Sequence, residues 1–168
     1  ESNSSKPSTG RHVGRPSKSR SFSNQKADEF FKTLEKARGK NLLICIKGYP
    51  DPDNIASSLS LEWLAQLFEI RTKIIYFDEI SHHENRALVK KLDLDLEQYS
   101  SDMDLDAYDY FAINDSQSSD LPINLSKNCE LLCFVDHHKS LGTIKGHFVD
   151  IRESAGSTSA ISMTSLTD

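Results

Sequence analysis

Apolar and polar residues follow one another along the chain in blocks whose lengths distinguish strands from helices. Short, mostly apolar runs bounded by polar turns lie at residues 42–46, 73–77, 108–113, 131–135 and 147–149. Apolar positions at helical spacing lie at residues 27–38, 55–70, 84–92 and 157–166. Runs of about four to eight apolar residues are typical of buried strands, whereas a spacing of three or four residues is typical of helices. The blocks therefore predict strands that are separated by helices.

This order of elements predicts an α/β fold, a parallel sheet with helices on both faces. The acidic stretch at residues 93–109 is interpreted as a solvated face or a connecting loop. With 168 residues, 37% apolar and 27% charged, the chain has the composition of a globular domain, which excludes a collagen or a disulfide scaffold. No apolar run reaches the ~18 residues that a membrane span needs, and no secretory leader is visible, so we expect a soluble, cytoplasmic protein without a membrane partner.

The net charge divides the chain into two segments, residues 1–26 and residues 27–168. Residues 1–26 carry a net charge of +5, so that the other residues carry -10 of the total of -5. The first segment is rich in Ser, Pro, Gly and Arg, a composition that predicts disorder, and the α/β domain is expected to begin at Ala27. Gly14-Arg15-Pro16 resembles an AT-hook. Contact with nucleic acid is one interpretation of this basic segment, and a solvated linker is the other.

Two groups of residues suggest a metal or a disulfide at first sight but have simpler interpretations. Cys45, Cys129 and Cys133 are odd in number and lie in apolar runs, which favours reduced, buried thiols. His82-His83 looks like a metal-binding pair. It lies in a polar stretch without further ligands nearby, which favours an ordinary loop.

Acidic and imidazole side chains follow three of the predicted strands. They are Asp51 and Asp53 after the first run, Asp115 after the third, and Asp136, His137 and His138 after the fourth. Because parallel strands end at one edge of the sheet, we expect these groups to converge there. Two prolines beside Asp51 stiffen its loop. Carboxylates with one or two imidazoles suit Mn²⁺ or Mg²⁺, and a pair of such ions about 3.5–4 Å apart serves in phosphoryl transfer.

Each of these residues also has a purely structural interpretation. Asp53-Asn54 directly before an apolar helix is typical of a helix N-cap, and Asp115-Ser116 is typical of a turn. These interpretations do not explain why acids follow three buried strands, one of them in an Asp-His-His triplet. The combination therefore favours a site.

Residues 50–57 (PDPDNIAS), Asp115 and residues 134–138 (FVDHH) together resemble the DHH phosphoesterase superfamily. This superfamily includes RecJ-type nucleases, oligoribonuclease and pAp phosphatases, and exopolyphosphatase-like proteins. Residues 150–158 also resemble the segment that follows the DHH triplet, so that the resemblance spans about residues 40–166. It implies a parallel α/β hydrolase domain with two Mn²⁺ ions that acts on nucleotide or short oligonucleotide phosphates, normally followed by a smaller substrate-binding domain.

The resemblance also implies a role for each matching residue. Asp51 would ligate the first metal, Asp53 and His137 the second, and Asp115 both. Asp136 and His138 would be catalytic supports that orient His137 or meet the substrate phosphate. Ser157 and Thr158 would bind substrate phosphate at a helix N-terminus, although a simple helix cap is the alternative interpretation.

The chain departs from the family pattern at two places. Lys47 stands four residues before Asp51, where the family has a metal-binding His. Since an ammonium group is not a ligand, the first metal site is weakened or absent, or Lys47 contacts the substrate phosphate instead. The family's further metal-binding Asp and its substrate domain would follow Asp168, and Asp150 stands too early for that Asp. We therefore expect an incomplete domain, and a catalytically inactive nucleotide-binding or regulatory module remains the alternative function.

Overall fold

The computed structural model describes residues 18–80 and 83–164, which form six strands and four helices. The helices are α1 (Lys18–Lys36), α2 (Pro52–Leu67), α3 (His83–Lys91) and α4 (Thr158–Thr164). The strands are β1 (Asn41–Ile46), β2 (Arg71–Tyr76), β3 (Leu96–Gln98), β4 (Tyr110–Asn114), β5 (Glu130–Asp136) and β6 (Phe148–Ile151). The continuous apolar runs of the sequence thus form the central strands.

All six strands lie parallel in one sheet, in the order β3-β2-β1-β4-β5-β6. The chain leaves β1 towards β2 and later returns on the other side of β1 to form β4. The order therefore reverses between β1 and β4, and at such a point open parallel sheets bind ligands beyond the carboxyl ends of their strands. The predicted parallel α/β class is confirmed.

The two faces of the sheet are covered differently. One core cluster contains apolar residues from all four helices, such as Phe30 and Leu34 of α1, Leu61 of α2 and Ile161 of α4. The opposite cluster consists of strand residues and of residues from irregular segments, and no described helix contributes to it. Helices were expected on both faces, but the connections from β3 to β4, β4 to β5 and β5 to β6 contain no helix in the described residues. Apolar loop side chains cover that face instead.

Two boundaries also differ from those expected from the sequence. β3 lies within residues 93–109, which were interpreted as a solvated face or a connecting loop, and it pairs with β2 from Leu96 to Gln98. α1 begins at Lys18, nine residues before the expected boundary at Ala27. Contacts with the β6 region hold its first half, since the Lys26 ammonium donates to the Val149 carbonyl. The rest of the predicted disordered segment, residues 1–17, lies outside the described residues.

The three cysteines are free and buried, which confirms the prediction of unbridged, buried thiols. Burial raises the pKa of Cys45 and Cys133, and it raises the pKa of Cys129 to about 11. These thiols therefore stay protonated at neutral pH. In the described ranges, no helix combines the length and the apolar character needed to cross a membrane.

Asp150 of β6 forms a buried ion pair with Arg152. The guanidinium donates to both carboxylate oxygens at 2.7–3.0 Å, and the Asp150 side chain is only 3% exposed. Arg152 also lies over the ring of Phe22 in α1, with 5.8 Å between its guanidinium carbon and the ring centroid. The pair therefore connects β6 to α1, and this contact gives Asp150 a structural role.

Replacing Arg152 by Met should destabilise the fold by about 3–5 kcal/mol, because it leaves the Asp150 carboxylate buried and unpaired. Adding Asp150→Asn should recover much of that loss, since the amide carries no charge. Urea unfolding of both variants measures the difference. The control Arg38→Met breaks an exposed pair with Glu35 and should have a much smaller effect. Equal stability of the single and double variants would contradict the interpretation.

Candidate metal centre

The turn from β1 into α2 is built around Asp51. This residue is the N-cap of α2, and its Oδ1 accepts hydrogen bonds from the backbone N–H groups of Asp53 and Asn54, both at 2.9 Å. Pro52 occupies the first turn, where its missing N–H is not needed. The cap orients the first turn of α2, so that Asp53 and Asn54 lie at the carboxyl edge of the sheet.

Asp53 binds the first turn of α4. Its Oδ2 accepts from the Thr158 N–H and its Oδ1 from the Ser159 N–H, each at 2.9 Å. Desolvation alone would raise the pKa of Asp53, but the hydrogen bonds from Ser159 and Thr158 and the nearby His137 outweigh it and lower the pKa. Asp53 is therefore held as a carboxylate between two helices.

Asp115 lies at the centre of the cluster. It follows β4 with a φ of 54°, in the left-handed region that Asp tolerates better than most residues, and its N–H donates to the Val135 carbonyl at 2.8 Å. Its side chain is buried and accepts from the Asn54 amide at 3.2 Å and from the Thr158 hydroxyl at 2.9 Å. Contacts from β5, α2 and α4 thus fix this carboxylate.

Two imidazoles from the segment after β5 face Asp115. His137 Nε2 lies 3.3 Å from Asp115 Oδ1 and 3.8 Å from Asp53 Oδ2. His138 Nδ1 lies 3.7 Å from Asp115 Oδ1 and 2.8 Å from Asp136 Oδ1. The two rings are in contact, with 4.0 Å between their centroids. Asp136 is fully buried and therefore orients His138 from below the surface.

The electrostatics of the cluster favour a bound cation. Burial raises the pKa of Asp115, and the negative charges of Asp53 and Asp51 raise it further, while Thr158 and His138 oppose the shift. The hydrogen bond with Asp136 raises the pKa of His138, and the carboxylates of Asp136, Asp115 and Asp51 add to the effect against desolvation. A bound cation would compensate both the desolvation of the Asp115 carboxylate and its repulsion by the neighbouring carboxylates.

The donor atoms fit a divalent ion. In the described part of the chain, Asp115, His137 and His138 each offer a ligand atom, and these atoms lie within 4.8 Å of one another. Asp136 Oδ2 is buried and has no hydrogen-bond partner among the described residues. The Asp53 oxygens keep further lone pairs beside their bonds to α4. Mixed carboxylate and imidazole donors fit Mn²⁺, and the carboxylates alone also fit Mg²⁺.

The other residues that the sequence singled out have different positions. The Lys47 ammonium donates to the Ser118 hydroxyl and carbonyl, and among the described residues it has no carboxylate within 4.0 Å. Ser157 Oγ accepts from the Ala160 N–H, which is the contact of a simple helix cap, the alternative to phosphate binding by this residue. His83 is exposed at the start of α3, and His82 lies outside the described residues. The ligand cluster above does not include His83.

Three residues that sequence reasoning missed support the cluster. Asn54 donates to Asp115, Ser159 donates to Asp53, and Ser118 holds Lys47. Asn54 directly follows Asp53 in the first turn of a helix, and this position in the sequence could have identified it as a site residue. The contacts of Ser118 and Ser159 join residues 71 and 106 positions apart, so no local pattern indicates them.

Comparisons with known proteins find a relative in sequence and a solved structure of similar fold. No protein-family model matches the chain. An uncharacterized protein of Methanocaldococcus jannaschii is 34% identical over 128 residues, which are 76% of this chain and 26% of that protein. The crystal structure of an exopolyphosphatase-related protein from Bacteroides fragilis is similar with a TM-score of 0.55 and 17% identity, over 84% of this chain and 43% of that one.

The chain thus spans about a quarter of the curated relative and less than half of the structural neighbour. At 17% identity the structural likeness shows the fold. It supports the coarse DHH-like fold that the motifs imply.

Replacing Asp53 by Ala should loosen the first turn of α4, because the Thr158 and Ser159 N–H groups lose their acceptor. We expect a loss of about 1 kcal/mol, as for other caps. Hydrogen exchange should show faster exchange of these two amides, with β1 amides unchanged. The control Asp78→Ala removes an exposed acid and should leave α4 protected. Unchanged protection in the Asp53 variant would show that this cap does not hold α4.

Proposed function

We propose that this domain binds a divalent metal ion and acts as a phosphoesterase-like hydrolase on nucleotide or short oligonucleotide phosphates. The observation that carries the proposal is the convergence of Asp53, His137 and His138 on the buried carboxylate of Asp115. The fold of the exopolyphosphatase-related neighbour supports phosphoesterase chemistry, and the sequence resemblance supports nucleotide substrates. Mn²⁺ is the ion that this donor set favours.

The surroundings of each residue in the cluster indicate the role that it would have in binding the ion or the phosphate. Asp115 and His137 would hold the ion, and Asp53 would hold it from the α2 side. Asp136 orients the His138 ring through a hydrogen bond that also raises the pKa of His138, and this imidazole would meet the substrate phosphate. A bound ion supplies positive charge that stabilises the negative charge developing on phosphate.

Asp51 has a more limited part in this proposal. Its Oδ1 already accepts two backbone N–H groups of α2, and its side chain is exposed. Its charge still raises the pKa of Asp115, which indicates that it lies within electrostatic range of the cluster. A first metal held by Asp51 would lack the imidazole that Lys47 replaces, so we expect this ion to bind more weakly than the one beside His137.

A second function, binding of a nucleotide without hydrolysis, is favoured by the position of Lys47. Its ammonium is turned to Ser118 and has no carboxylate partner among the described residues, so it is available to a phosphate group. A point charge of this kind binds phosphate but does not organise an attacking water. Both functions need a phosphate bound at the same place. Only the first function includes hydrolysis of the phosphate ester.

Mn²⁺ should raise the melting temperature of the domain. An ion that binds only the folded state adds about 2.7 kcal/mol at a hundredfold excess over its Kd. Asp115→Asn should abolish this shift, because Asp115 is the carboxylate shared by both imidazoles. Thermal melts with Mn²⁺ and with EDTA provide the measurement.

The matched control for this experiment is Asp106→Asn, which removes one exposed acid near the amino edge of the sheet. It should keep the full Mn²⁺ shift. Equal shifts in the Asp115 and Asp106 variants would mean that the ion binds elsewhere and would overturn the proposal.

Replacing Lys47 by His should tighten Mn²⁺ binding by about tenfold, because it exchanges a cation for a ligand, but should raise the turnover of this chain little. The unmodified chain should hydrolyse pAp and short oligonucleotides poorly. Lys47→Gln is the control, since it removes the charge without adding an imidazole and should raise affinity less. Calorimetric titration gives the affinities. Robust Mn²⁺-dependent cleavage by the unmodified chain would contradict the expected effect of Lys47 and favour a role for it in phosphate binding.

A further inference from the structure

A groove of about 630 Å³ opens at the carboxyl edge of the sheet beside the metal centre. Its lining combines the ends of β1 and β2 with loops that follow β4 and β5, and it includes Lys47, Phe77, Asp78, Ser116, Asp120 and Leu141. Ser116 directly follows Asp115, so the groove begins next to the proposed metal ligand. Its volume lies within the range of about 300–1,000 Å³ that small-molecule sites occupy.

The walls of this groove are tied together by hydrogen bonds. The Leu141 N–H donates to the Gln117 carbonyl at 2.9 Å, which joins the loop after β5 to the loop after β4. The Ser116 hydroxyl donates to the Ser118 carbonyl at 3.1 Å, and Lys47 binds the same residue. These bonds connect the two loops and Lys47, which preorganises the groove for a ligand.

The charges of the groove oppose a chain of phosphates. Lys47 is its one cation among the lining residues, whereas Asp78 and Asp120 are two exposed acids. Lys47 offers a positive charge to one phosphate, but further phosphates of a polyphosphate would meet a net negative lining. The same carboxylates suit hydroxyl groups, whose hydrogens they accept.

The apolar part of the lining suits a flat organic group. Phe77 packs against Tyr99, with 5.7 Å between the ring centroids, so its ring is held in place. Leu121, Pro122 and Leu141 complete the apolar surface. An aromatic face beside carboxylates that accept sugar hydroxyls is the combination that stacks a base and binds a ribose.

We propose that this groove binds the nucleoside part of a phosphate ester and thereby selects nucleotides over inorganic polyphosphate. The inference deepens the proposed function and rests on it for the placement of the phosphate. The nucleoside contact itself involves no metal ligand. It can therefore be tested with adenosine, which has no phosphate.

Calorimetric titration of the metal-free chain with adenosine should show binding that Phe77→Ala and Asp120→Lys each weaken about tenfold. Asp106→Lys makes the same charge change away from the groove and should bind adenosine as the unmodified chain does. Asp120→Lys should also bind tripolyphosphate more tightly, because it makes the net charge of the lining positive. With Mn²⁺ present, the unmodified chain should prefer AMP to tripolyphosphate.

Adenosine binding by the unmodified chain without any Mn²⁺ shift in its melting temperature would support the groove while overturning the metal proposal. Absence of adenosine binding at millimolar concentration would overturn the groove proposal even where Mn²⁺ stabilises the fold. The same conclusion would follow if tripolyphosphate bound better than AMP and Asp120→Lys left both unchanged. Asp120 is exposed, so Asp120→Lys should keep the chain folded. This variant therefore still tests the groove if Phe77→Ala unfolds the chain.

Discussion

The buried carboxylate of Asp115 is the interaction on which the arrangement of the site depends. It accepts from Asn54 of α2 and Thr158 of α4, and it faces His137 after β5. Burying a carboxylate costs free energy unless donors or a cation compensate it. Here the donors come from separate parts of the chain, so that satisfying this one group brings them together. The raised pKa of Asp115 shows that the compensation by these donors is incomplete, and this favours a cation.

The neighbouring acids connect this centre to the fold. Asp51 caps α2, and Asp53 in the first turn of α2 caps the first turn of α4, so two neighbouring acids at the start of α2 orient two helices. Sites that are built on regular elements hold their side chains more accurately than sites on free loops. The structural interpretation of these residues as caps and their interpretation as ligands are therefore compatible. A carboxylate oxygen that accepts one N–H group still has a lone pair for an ion.

The sequence predicts those features that depend on local pattern. The apolar runs identified the central strands, and the acids at their ends indicated where side chains would meet, because parallel strands share an edge. It did not predict β3, whose residues Leu96–Gln98 are polar on balance and extended only through pairing with β2. Nor did it predict that irregular segments cover one face, since scattered apolar residues in loops have no periodicity. The direction of Lys47 depends on Ser118, 71 residues away, and no local rule contains that contact.

Crystals grown with Mn²⁺ test the central claim most directly, because anomalous scattering locates the ion without reference to activity. A peak within coordination distance of the Asp115 carboxylate and an imidazole nitrogen of His137 is the predicted result. The Asp53 cap on Thr158 and Ser159 should be retained in that structure. Ordered Mn²⁺ at other sites, with the Asp115 and His137 side chains bonded only to each other, would contradict it.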